Sequence, residues 1–148
     1  MIIVTKIIGV LEAMVTDTNC KLASYQYNDR PTANVRLDTK SPSPTAVFMQ
    51  LTDWDMDIKS GVLTEEANIN VTFLSKEGKM DADGDEQEPI IDAMRDLAVE
   101  FISRVREIPS IRIEDDTVKV KSVFLASDSN RTGVNITLTI KQKQGGCL

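Results

Sequence analysis

The sequence predicts an α+β two-layer sandwich: an antiparallel sheet with two helices packed on one face. Three observations carry that prediction. Two segments, one near the N-terminus and one over 89–106, repeat apolar residues at spacings of three and four. Several others alternate apolar with polar residues, as strands do when only one face is buried. The order is helix, three or more strands, helix, two strands, rather than the regular βαβ alternation of a parallel sheet.

The first helix rests on Val4, Ile7, Ile8, Leu11, Met14 and Val15, which form one apolar stripe. Gly9 weakens it, since an interior glycine costs about 1 kcal/mol. Asp17 to Asn19 read as the turn that ends it. Tyr25 and Tyr27 alternate, as do Val35 and Leu37, around turn residues Asn28 to Pro31. Residues 38–44 read as a loop, because Pro42 and Pro44 have no amide protons to give a central strand. Thr45 to Leu51 is the next strand, with Val47, Met49 and Leu51 on one face. The alternation then slips: Trp54, Met56 and Ile58 share a face, and Asp53, Asp55 and Asp57 take the other. A bulge or turn near Thr52 and Asp53 has to absorb that slip. Gly61 ends the ribbon, and Ile69, Val71 and Phe73 make the following strand.

Residues 78–88 read as an acidic loop. A second helix runs from Pro89 to Arg106, with an apolar stripe of Ile90, Ile91, Met94, Leu97, Ala98, Phe101, Ile102 and Val105. Pro89 suits its first turn, and Asp85, Glu86 and Glu88 complement its dipole. Arg104 and Arg106 do the same at the far end. Val118 to Leu125 and Val134 to Ile140 are the closing strands, joined by a turn at 128–131. The expectation is one domain over 1–143 and a disordered tail over 144–148.

With 148 residues, the chain can bury roughly 70% of its unfolded surface without a disulfide or metal. Its net charge is −6, from 17 basic and 23 acidic residues. That sign opposes sequence-independent nucleic-acid binding and attachment to anionic membranes. Cys20 and Cys147 read as free thiols, which makes a reducing cytoplasm the default compartment. No secretory cleavage pattern or membrane span is read.

There is no histidine, which removes the Ser-His-Asp and Cys-His arrangements and the commonest general base. No phosphate-binding glycine loop occurs. Asp81, Asp83 and Asp85 superficially match the start of a calcium loop. The sixth position holds Glu86 where the turn needs glycine, so no metal site is assigned. The expectation is therefore no catalytic residue, no metal and no cofactor: a protein that binds other proteins and is not an enzyme. Asp53, Trp54, Asp55, Met56 and Asp57 are the candidate contact residues, because tryptophan is enriched at binding hot spots. A core position for Trp54 is the competing reading.

As a whole, the pattern resembles the tail-terminator, or tail-completion, family of tailed bacteriophages and prophages. The resemblance rests on the opening helix, Thr45 to Gln50, Asn68 to Ser75, the acidic loop, the helix from Pro89 to Arg106, and Asp128 to Thr139. It implies a structural protein, usually a hexameric ring, that caps the tail tube and offers a docking face to head-completion proteins. It implies the virion as location, with the bacterial cytoplasm during assembly. An acidic ring is compatible with DNA passage, since a negative lumen does not retain DNA. The alternative is a small cytoplasmic interaction module: an adaptor, an immunity protein or an assembly chaperone.

Overall fold

A computed structural model describes residues 2–28, 42–51, 53–76, 84–114, 118–125 and 131–147. It is an α+β sandwich with helices α1 (Ile2–Thr16) and α2 (Gly84–Arg106) on one face of a mostly antiparallel sheet. The strands are β1 (Ser24–Asn28), β2 (Thr45–Met49), β3 (Asp55–Lys59), β4 (Val62–Ser75), β5 (Ile111–Ile113), β6 (Lys119–Leu125) and β7 (Arg131–Cys147).

Two long strands, β4 and β7, pair antiparallel along their lengths and form the middle of the sheet. Each carries two shorter strands on its outer edge. β2 and β3 share the free edge of β4, opposite its C-terminal and N-terminal halves respectively. β5 and β6 share the free edge of β7 in the same manner. β1 then adds to β2.

Odd-numbered residues of β4 and even-numbered residues of β7 face the helices. Ile69, Val71 and Phe73 meet Leu138, Ile136 and Val134 across the ladder, and all six are buried. Phe101 of α2 rests on Phe73, with ring centroids 5.9 Å apart. The α1 face that closes the core centres on Ile3, Ile7, Leu11 and Met14, with Val10 also buried. Val4, Ile8 and Val15 pack only partly. The helix is thus rotated slightly from the expected stripe. Apolar residues fall on more than one side of α1, so periodicity fixes its rotation poorly.

Four further expectations need correction. α2 begins at Gly84, so Asp85, Glu86 and Glu88 belong to the helix and Pro89 lies inside it. Pro89 is thus past the amides that lack helical partners, and its ring forgoes the hydrogen bond to the carbonyl four residues back. β4 begins at Val62, not near Ile69. Glu65, buried at a position facing the helices, breaks the apolar alternation that would have revealed this half of the strand. β1 and β2 run parallel, whereas the whole sheet reads as antiparallel; alternation within a strand carries no information on its direction. The tail expected over 144–148 is strand as far as Cys147, whose backbone lies opposite Val62. β5 is an addition, too short at three residues to show a period. Val35 and Leu37 lie outside the described residues.

Candidate functional site

The five candidate residues form and precede β3, an edge strand. Asp53, Trp54, Asp55, Met56 and Asp57 are all exposed. A two-residue hairpin positions the strand: Lys59 pairs with Val62, and Ser60 and Gly61 have φ of 54° and 76°. Positive φ at both central residues is what a type I′ turn requires, and glycine supplies the second at no steric cost.

The slip expected near Thr52 and Asp53 is not a change of face. Phe48 lies opposite Val71 and Asp55 opposite Glu66, so seven steps on the β2–β3 side match five on β4. An even excess preserves the faces. Ala46, Phe48, Met56 and Ile58 all lie on the helix side. The alternation fails because Val47 is buried too, on the opposite face, so β2 is covered on both sides.

Met56 and Ile58 sit opposite Glu65 and Leu63, yet they are 59% and 61% exposed. Trp54 is 45% exposed, so its ring is not in the core. The helices cover β4 and β7 but stop short of β3, which leaves three large apolar side chains on the overhanging edge. β6 overhangs in the same way. Val120 faces the helix side opposite Ile136 and is 54% exposed.

The outer face of the sheet is polar. Asn135 donates to Asn70 Oδ1 at 2.6 Å and to Thr72 Oγ1 at 2.7 Å, and Thr139 donates to Asn68 Oδ1 at 2.7 Å. Charge on this face is divided. Asp55 and Asp57 stand on β3, with Glu66 beside Asp55. Lys141 follows on β7, then Arg112 on β5, along one transverse row. These residues line an open groove of about 660 Å³. Farther along the same basic edge, Lys119 and Lys121 of β6 are exposed on the outer face. In the sequence, Lys119 and Lys121 fit a local basic patch or a solvated strand face equally well. Topology puts them on the edge opposite the aspartates.

A second feature ties the helices together. Arg104 of α2 pairs with Asp17 after α1 at 2.6 Å and with Glu100 at 2.9 Å. The Asn19 amide donates to Asp17 at 2.9 Å. That bond first, and Arg104 second, hold the Asp17 carboxyl below its usual range. Its two carboxylate partners push Arg104 further up. A cleft of about 370 Å³ beside them includes Cys20, Asp96 and Glu100.

Among the described residues, no three acidic or cysteine side chains converge as metal ligands would. The calcium-like segment 81–83 lies outside them. No described helix is long and apolar enough to cross a membrane. No protein-family model matches the chain, and no curated protein matches it significantly.

Proposed function

We propose that the chain is a structural subunit of a tailed phage or prophage, capping the tail tube and joining tail to head through protein contacts. The observation that carries a contact function is the edge strand β3, where Trp54, Met56 and Ile58 stand exposed in a row. Isolated exposed apolar residues are ordinary, but a contiguous set beside charged ones has the composition of an interface. The tail-terminator character comes from the resemblance of the sequence across the chain. The virion and the host cytoplasm are the corresponding locations, and the tail tube and head-completion proteins the corresponding partners.

The test is made in the source strain. Particles are induced and purified, and the protein is sought in them by mass spectrometry. The reading expects it at a few copies per particle, and expects deletion of its gene to leave heads and tails unjoined in micrographs. Intact, joined particles from the deletion strain would overturn it and favour the adaptor or chaperone alternative.

A further inference from the structure

We propose that β3 of one copy pairs edge to edge with β6 of the next, which extends the sheet from subunit to subunit head to tail. This deepens the assembly reading by naming a second copy of the chain as the partner.

Four observations converge. First, the two strands occupy opposite edges of one sheet, and no described strand pairs with the outer side of either. Such edges present a row of backbone donors and acceptors that template pairing. Second, their directions fit. β3 is antiparallel to β4, β4 to β7 and β7 to β6, so β3 runs opposite to β6 within one copy. Repeating the unit sideways brings β6 against the next β3 in antiparallel sense, which continues the alternation. Third, their charges are complementary on the same face. Asp55, Asp57 and Lys59 project from the outer face of β3, where Lys59 lies 3.5 Å from Asp57 and the balance stays negative, and Lys119 and Lys121 project from the outer face of β6. Like charges would face each other if β3 met β3 or β6 met β6, so the contact is steered towards the mixed pair. Fourth, the helix-side faces match as well. Met56 and Ile58 from one edge would cover Val120 from the other, and all three are exposed in the single copy.

The register adds a geometric condition. The middle of β3 lies level with position 143 of β7, and the middle of β6 level with position 134. Successive copies are therefore offset along the strands by about nine residues, or ~30 Å. Among the described residues, β1 extends one strand beyond β3 and lies beside β2 only, which leaves a notch at the β3 edge that matches β6 at this offset. A repeated head-to-tail contact closes into a ring when its rotation divides the circle and grows into a filament when it does not.

Paired charge reversals test this. One variant carries Asp55→Lys and Asp57→Lys; the other carries Lys119→Asp and Lys121→Asp. Association is followed by light scattering across a concentration series, with circular dichroism as the control for folding. Wild type should self-associate, more weakly at high salt. Each variant alone should associate at least about tenfold more weakly, because its two edges then carry the same sign. An equimolar mixture should regain association, since every junction again joins opposite charges. A variant carrying all four substitutions should also self-associate. Two results overturn the proposal: wild type that stays monomeric up to its solubility limit, or folded variants whose mixture associates no better than either alone. This assay reads self-association of the purified protein. The particle experiment above reads location and head–tail joining, so each idea can fail while the other stands.

Discussion

Gly133 is the residue at which the central ladder leaves no choice. It lies opposite Leu74, and a Cβ built there would collide with the Phe73 carbonyl oxygen and lie 2.8 Å from its carbon. Those are backbone atoms of the neighbouring strand and cannot rotate away. Gly133→Ala should therefore destabilise by about 3 kcal/mol, the upper end of overpacking costs. Urea denaturation checks this, and a loss under about 0.5 kcal/mol would show that the ladder yields freely. Asp17 acts through charge instead. Its pKa is lowered in the folded state, so its contribution is complete above the unfolded value near 3.8 and declines as pH falls through the folded one. Wild type should exceed Asp17→Asn in stability at neutral pH, and the gap should narrow below 3.8. A gap that stays constant into acid would assign the difference to something other than this ionisation.

At the level of elements, the two helices differ in how they earn their place. α2 is amphipathic, and Phe101 is its deepest large side chain, fully buried against Phe73. Phe101→Ala should cost about 3–5 kcal/mol in chemical denaturation. A loss under about 1 kcal/mol would contradict the packing described. α1 is apolar on most sides but leaves Gly9 facing solvent, where an added Cβ meets nothing within 4 Å. Gly9→Ala should therefore stabilise by about 0.5–1 kcal/mol through helix propensity alone. An unchanged or lower melting temperature would show that glycine is needed there. Both helices and the strands around Phe73 and Ile136 are legible from periodicity, whereas the core face of β2 is not, because Val47 and Phe48 are both buried. The N-terminal half of β4 is not, because Glu65 occupies a buried position where the pattern calls for an apolar residue. β5 is hidden by its shortness, and the parallel course of β1 by the symmetry of alternation with respect to direction. The acidic row of the candidate site is legible as a row. Its place on an edge is not, since that depends on which strands pair.

For the whole molecule, the helix layer is narrower than the sheet it covers. That mismatch exposes Trp54, Met56 and Ile58 on one side and Val120 on the other. Side chains this exposed contribute little to folding, so Met56→Ser should leave unfolding free energy within about 0.5 kcal/mol of wild type. Association should nevertheless weaken, because its partner surface is lost. Trp54 is the only tryptophan, so its fluorescence reports this edge directly. Its emission should be open to quenching by acrylamide in dilute solution and protected as concentration rises. Quenching that does not change with concentration would place Trp54 outside any self-contact. The amino-acid sequence alone determined the fold class, the two helices and the alternating charge of β3, because each is set by side-chain period within a few consecutive residues. Only the tertiary structure decided that the acidic strand β3 and the basic strand β6 bound the same sheet on opposite sides. Strand order and direction arise from pairings between segments as distant as β3 and β7, and no local period encodes them.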